Sequence, residues 1–269
     1  TFPAGATGQE LSKSSETTRA GLADVLLKLG NIPAEYGVTA TCRDCDASAS
    51  TVTFTCCGKF KTDDFKQYDE AWKTSSYDNI CSTEPTSSGN YRPTYSCNHA
   101  IFTKAQYRNK KYPFSIRAKG CLLTAMADVI NYYRDKYSLS CSSVTPLSLN
   151  DYMAKNNGFD KQGNVRLEKI KNYTNSDERT VCNVNAVNFP KLTPESIRQI
   201  DKDFAKGNPV VLRISPDNHY HFVLAVGKCN DNYLISDPGS STQVKISASI
   251  VTGIREFEIV DGDKSLCLN

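Results

Sequence analysis

Nowhere does the chain run apolar for long. Its apolar stretches, 221–227 among them, fall far below the roughly 18 residues that a membrane-spanning helix needs, so no transmembrane span is expected. Charge of one sign is also scarce: the formal net charge is +3 over 269 residues, with no basic block and no helix laced with Lys and Arg. Nucleic acid and anionic membrane are therefore not expected as partners. Histidine is the third shortage. Only His99, His219 and His221 are present, which leaves few candidates for any step that needs an imidazole. There is no internal repeat. The hydrophobic fraction of 39% and charged fraction of 23% are those of an ordinary soluble protein with a real core.

Cysteine, by contrast, is plentiful. The chain has eleven: Cys42, Cys45, Cys56, Cys57, Cys81, Cys97, Cys121, Cys141, Cys182, Cys229 and Cys267. That density over a long chain fits an oxidising compartment better than the cytosol, so a secreted, extracellular protein is expected. The chain opens at Thr1 without an initiator Met or a basic-then-apolar leader. This fits a signal peptide already removed, and fits any other boundary equally. Asn172-Tyr173-Thr174 is a glycosylation sequon, a triplet that also arises by chance. Cys42-x-x-Cys45 with Cys56-Cys57 offers the ligand types of a zinc site, but adjacent cysteines do not easily ligate one tetrahedral ion, and disulfides are expected instead. No metal or other cofactor is implied.

The two halves read differently. Residues 1–19 are rich in Gly, Ser and Thr, whereas Leu22, Val25, Leu26 and Leu29 recur at helical steps over 15–29 before Gly30 stops the run. The alternation in 51–55 sits among four cysteines and predicts a small cystine-tied sheet. Phe65, Tyr68 and Trp72 fall at helical spacing, and 82–96 reads as a linker. These features place a boundary near residue 98, giving a cystine-rich N-terminal domain over 1–97 and a second domain over 98–269. In the second, Cys121 opens a helix running to Tyr137, with further helices over 147–156 and 194–206, the last capped by Thr193-Pro194. Strands are expected over 210–214, 219–226, 233–236, 243–246 and 254–260, so the class is α+β with a mainly antiparallel sheet.

A thiol nucleophile needs a base within reach and a group that orients the base. Cys121 would stand in the first turn of its helix, where unpaired N–H groups favour a thiolate over a thiol. The plainer possibility is a disulfide half or a buried structural cysteine. His219 and His221 lie two apart in one strand and so share a face. The next strand ends at Asp237-Pro238, and in an antiparallel pair a carboxylate there faces a histidine near the start of the first. The plainer possibility is two polar strand residues and an aspartate that opens a turn.

Five blocks go further together than any one alone. Gly120-Cys121, with Thr124 three residues on and a small, apolar helix ending in Tyr132-Tyr133, resembles the nucleophile helix of the bacteriocin-processing (double-glycine) peptidase-like family in the papain-like cysteine peptidase superfamily. Residues 146–153, 157–160 and 207–212 resemble the segments that follow it, and 221–227 with 233–239 resemble the paired histidine and aspartate strands. The resemblance covers roughly 100–260 and leaves 1–97 outside. It implies a papain-like domain preceded by a small disulfide-rich one, with Cys121 as nucleophile, His221 as base and Asp237 as its orienting partner. It selects His221 because His-Phe-Val is the family pattern. It also implies a glutamine upstream of the cysteine that helps form the oxyanion hole, for which Gln106 is the candidate in the expected neighbourhood. The function implied is hydrolysis of an amide bond in a peptide or protein substrate. The alternative is an inactive extracellular structural or adhesive protein that kept a peptidase scaffold.

With one nucleophile set aside, the eleven cysteines leave ten, an even number that closes into disulfides with nothing over. The native, unreduced protein is therefore expected to take up one equivalent of iodoacetamide per chain, on Cys121, at a rate that persists at mildly acidic pH. Peptide mapping of the label checks this, and label found only on another cysteine overturns the enzyme reading.

Overall fold

The computed structural model describes residues 10–11, 27–28, 35–40, 50–55, 59–77, 115–138, 142–160, 163–173, 179–188, 192–215 and 219–261. In chain order these hold strands β1 (Glu10–Leu11), β2 (Leu27–Lys28), β3 (Glu35–Ala40) and β4 (Ser50–Thr55), followed by helices α1 (Ile116–Lys119), α2 (Cys121–Lys136) and α3 (Pro146–Lys155). Strand β5 (Arg179–Asn188), helix α4 (Pro194–Ala205) and strands β6 (Val210–Ile214), β7 (His221–Cys229), β8 (Asn232–Ser236), β9 (Lys245–Ser247) and β10 (Val251–Asp261) complete them. One sheet of six strands, in the order β5-β10-β6-β7-β8-β9, is antiparallel at every pairing. With the helices packed on it, this is the α+β domain expected from the sequence.

Caps fix two helices where the sequence placed them. Thr145 accepts from the Ser148 amide, and Thr193 from the Ser196 amide, each followed by proline at the first helical position. Gly207, at φ +72°, ends the turn beyond α4 in the left-handed conformation that suits glycine. Two expectations fail. Leu27–Lys28 pairs as strand with Glu10–Leu11, so the helix expected over 15–29 does not hold at its end. Residues 65–72 form overlapping turns rather than a helix: Trp72 and Lys73 both donate to the Asp69 carbonyl, while the Asp69 carboxylate takes the Ala71 amide. A side chain that competes for backbone donors favours turn over helix. Strand β5 had escaped sequence reading altogether.

Helix α2 is enclosed. Every residue from 123 to 131 is buried, including the polar Thr124, Asp128 and Asn131. The sheet covers part of it through β7, and α3 covers another part with Leu149 and Met153. Residues 59–77, which sequence reading assigned to the N-terminal domain, form a strap over more of it. Phe60, Trp72 and Tyr77 of this strap belong to the same hydrophobic core as α2. Phe60 meets the rings of Tyr132 and Phe204 at 5.7 and 5.9 Å, and its amide donates to the Val226 carbonyl at 2.6 Å. The strap then runs antiparallel to the start of α1 through a Ser76–Ser115 bridge.

Two buried polar side chains of α2, Asp128 and Asn131, find partners on the strap, on the segment before α3 and on β8. Asn131 exchanges hydrogen bonds with the Val144 amide and carbonyl and donates to Asp63. Asp128 accepts from the Phe65 amide at 3.3 Å and from the Ser236 hydroxyl at 3.2 Å. Burial pushes the Asp128 carboxyl up from 3.8 to about 7, a rise that those two hydrogen bonds oppose and the nearby Asp63 and Asp64 reinforce. Between those two pH values the folded chain keeps a proton that the unfolded chain has lost, so the group destabilises the fold progressively as pH rises through that window. Asp128→Asn removes the ionisation. The variant is expected to be more stable than the parent at pH 8, by up to about 4 kcal/mol, and to lose that advantage near pH 4, as read from urea unfolding with disulfides intact.

Candidate active site

Cys121 is the first residue of α2 and a free, half-buried thiol. Gly120 ahead of it has no room for a side chain: a Cβ there would lie 2.6 Å from the Ile116 carbonyl oxygen and 2.7 Å from the Ile116 Cγ2. The glycine lets the short helix α1 close on itself, with the Gly120 amide on the Ile116 carbonyl at 2.7 Å, immediately before the long helix starts. That close approach sets the thiol at the N-terminal end of α2, where amide N–H groups lack helical partners.

His221 opens β7, opposite Ile214 of β6, and Leu224 of β7 faces Ser236 at the end of β8. Extending that register by one residue sets Asp237 opposite Val223, on the face that His221 shares. The side chains meet: His221 Nε2 lies 2.7 Å from Asp237 Oδ1. Cys121 hydrogen-bonds the same imidazole, and with Nε2 committed to the carboxylate, Nδ1 is the nitrogen left for the thiol. Burial alone pulls the His221 pKa down. The hydrogen bonds with Asp237 and Cys121, and their charges, outweigh it and lift the imidazole from 6.5 to about 10.

Asp237 is only 3% exposed, and its carboxylate is held from a second side by the Gly239 amide at 2.7 Å. Gly239 backs directly on the pair. A Cβ there would come within 3.2 Å of His221 Cε1 and 3.3 Å of Asp237 Oδ1, so any side chain would press on the imidazole. His219 is exposed and stands before the strand begins; no contact joins it to Cys121 or Asp237 among the described residues.

The strap passes beside this arrangement, which sequence reading did not anticipate. The Gln67 amide donates to the Pro238 carbonyl at 2.9 Å, and the Gln67 carboxamide Nε2 donates to the Arg117 carbonyl, four residues before Cys121, at 2.5 Å. Gln67 thus spans from the turn after Asp237 to the turn before Cys121. Its Oε1 is buried without a hydrogen-bond partner. Lys66 Nζ donates to the Asp237 carbonyl at 3.0 Å. Glutamines upstream of Cys121 are only Gln9, Gln67 and Gln106, so a search not confined to the cysteine's near neighbours would have included Gln67.

Gln106 lies outside the described residues. So do the Cys42, Cys45, Cys56 and Cys57 cluster weighed for zinc, and the linker over 82–96. Asn172 sits in a 3-10 turn, Leu167–Tyr173, with its side chain outside the description. Cys229, at the end of β7, is disulfide-bonded. Among the described residues no group of three or more His, Cys, Asp or Glu is arranged to hold a metal ion, and no helix is long and apolar enough to cross a membrane.

The geometry ranks the two neighbouring histidines. His221→Ala is expected to slow alkylation of Cys121 by iodoacetamide at pH 6 by about a hundredfold, while His219→Ala leaves most of the rate. Stopped-flow labelling of the intact protein checks this, and the opposite ranking would mean that His221 does not serve the thiol.

The family model described as "Peptidase_C39 like family" matches residues 100–259. No curated protein matches the chain. The matched span starts before α1, takes in Cys121, His221 and Asp237, and covers more than half of the chain. The chain belongs to the Peptidase_C39-like family of cysteine peptidases.

Proposed function

We propose that the protein is a cysteine hydrolase that cleaves an amide bond in a peptide or protein substrate. The observation that carries this reading is the single imidazole held between the Asp237 carboxylate and the thiol at the start of α2. In the proposed cycle the Cys121 sulfur attacks the scissile carbonyl carbon, forming the C–S bond as the carbonyl π pair moves to oxygen. Collapse expels the leaving amine, which takes its proton from His221, and gives a thioester. Water then attacks the thioester while His221 takes its proton. The C–S bond then breaks with its electron pair going to sulfur, the carboxylic acid is released, and Cys121 returns as a thiolate beside protonated His221, the state from which the attack began. Asp237 holds the ring so that Nδ1 faces the sulfur in both half-reactions.

The oxyanion formed on attack needs donors. The Cys121 amide is one, by its place at a helix start. For the second we favour Gln67 over Gln106. Its carboxamide is anchored to the Arg117 carbonyl by one N–H, and the amide group carries another that is not needed for that bond. On this reading the catalytic unit includes the strap, and the cystine-tied N-terminal module is confined to the residues before Lys59. Secretion, closure of the remaining cysteines as disulfides and glycosylation at Asn172 complete the proposal, on the cysteine content and the sequon alone.

Incubating the full-length, unreduced protein with a mixed peptide library and reading cleavage by mass spectrometry tests the reading. Cleavage is expected in the parent and absent in Cys121→Ser. Gln67→Ala is expected to lower kcat by about 10²–10³ with KM little changed, and to do so more than Gln106→Ala. The reverse ranking returns the oxyanion role to Gln106. No turnover by a parent protein whose Cys121 still alkylates favours the inactive scaffold instead.

A further inference from the structure

One charged side chain reaches the triad without belonging to it. Lys66 is only 16% exposed, and an ammonium withdrawn from water to that degree needs acceptors to offset its lost hydration. It has two, the Asp64 carboxylate at 2.6 Å and the main-chain carbonyl of Asp237 at 3.0 Å. Asp64 is itself fixed. Its backbone sits at φ +56°, a left-handed conformation that aspartate tolerates better than most residues, and its carboxylate accepts the Ser236 hydroxyl at 2.6 Å. That hydroxyl also reaches buried Asp128 of α2 at 3.2 Å. A continuous chain of contacts therefore runs from the second turn of α2, through Ser236, Asp64 and Lys66, to the backbone of Asp237.

The turn after β8 is mostly tied to itself. Asp237 Oδ1 takes the Gly239 amide, and the Asp237 carbonyl takes the Ser240 amide at 3.2 Å. From the strap, only Lys66 on Asp237 and the Gln67 amide on Pro238 reach over to it. We infer that Lys66 is a positioning residue for the Asp237–His221 pair, resting on the Cys–His–Asp reading above: its ammonium grips the Asp237 carbonyl and thereby fixes where the carboxylate meets the imidazole. The charged and titratable groups around this contact are Asp63, Asp64 and Lys66 from the strap, Asp128 and Cys121 from α2, His221 from β7 and Asp237 from the turn after β8. Lys59 and Lys61 line a cleft of about 210 Å³ together with Asp64, Lys66 and Ser236.

Two effects of removing Lys66 have opposite signs, which makes the inference decidable. If Lys66 acted only as a distant positive charge, its loss would stabilise protonated His221 and raise the pH at which the ring gives up its proton. If it positions Asp237, its loss lets the carboxylate drift from the ring, and that pH falls. The test uses the full-length, disulfide-intact protein with isotope-labelled histidine, followed by NMR through a pH titration, together with the pH profile of Cys121 alkylation. Lys66→Met is expected to lower the His221 midpoint by about one pH unit, a tenfold loss in proton affinity, and to pull in the alkaline limb of alkylation to match. Lys66→Arg, which keeps a charged donor, is expected to restore the parent midpoint. An unchanged or raised midpoint in Lys66→Met overturns the inference. Should that variant not fold by circular dichroism, Lys66→Gln takes its place with the same required direction. If Cys121→Ala leaves the His221 titration of the parent unmoved, the triad reading fails instead; if it moves it and Lys66→Met does not, only the positioning role fails.

Discussion

Helix α2 has no solvent face along residues 123–131, and most of what surrounds it follows from that. An amphipathic helix needs one partner; a helix buried all round needs several. Here the sheet, α3 and the strap supply them, and Tyr133 at the far end reaches the Phe257 carbonyl of β10. Enclosure also forbids unpaired polar groups, because each one buried without a partner costs roughly 1–3 kcal/mol. Asp128 and Asn131 are therefore met by named donors and acceptors on the strap, on the segment before α3 and on β8. Thr124 is the exception, with its hydroxyl buried and unpartnered. The result is a rod that cannot shift along its axis without breaking several of these bonds together, and the thiol stands at its tip.

Against that rod the other two side chains are placed by register. In an antiparallel pair a slip of one residue turns every side chain to the opposite face. The β6–β7 and β7–β8 pairings fix His221 and Asp237 on one face, and the irregularity between Ala225 and Gly227 lies beyond both of them, away from the site. The short turn after β8 then needs two features the sequence supplies at adjacent positions. Pro238 has no amide to satisfy, and Gly239 keeps a Cβ away from the imidazole while its own amide returns to the carboxylate. The aspartate is thus held by its side chain, its own turn and the strap.

The parts of this that were legible in the sequence are those governed by local periodicity or a cap. Helices α2, α3 and α4 and strands β6 to β10 announce themselves by apolar spacing, by Thr-Pro starts and by the Gly207 stop. Strand β5 did not, because its asparagines at 183, 185 and 188 are residues of low strand propensity, even though 182–186 alternate apolar and polar. The strap was the larger omission. Phe65, Tyr68 and Trp72 fall at helical intervals, yet the segment makes turns, with Phe65 and Trp72 edge to face at 5.6 Å. Its attachments run largely through backbone amides and carbonyls, to Val226, Pro238, Ile116 and Arg117, and groups that nearly every residue possesses leave no mark on the sequence. The candidate site was legible as far as the spacing that brings His221 and Asp237 onto adjacent strands, and illegible where support comes from distant chain.

That distance matters less to the fold than it does to the reader of a sequence. The strap ends at Tyr77 and α1 begins at Ile116, and the Ser76–Ser115 bridge, with the Ile116 amide on the Ser75 carbonyl, brings the two ends together. The entropy cost of bringing two points of a chain together grows only logarithmically with the number of residues between them, by about 0.6 kcal/mol for each doubling. Clamped in this way, the ends decouple the position of Cys121 from whatever number of residues separates it from Gln67. A glutamine far upstream is then as well placed as a near one, because its position relative to the thiol is set by the Arg117 and Pro238 carbonyls rather than by the chain between. Sequence separation is therefore a poor guide to which residues stand beside Cys121 and Asp237; the contacts with Arg117 and Pro238 decide it.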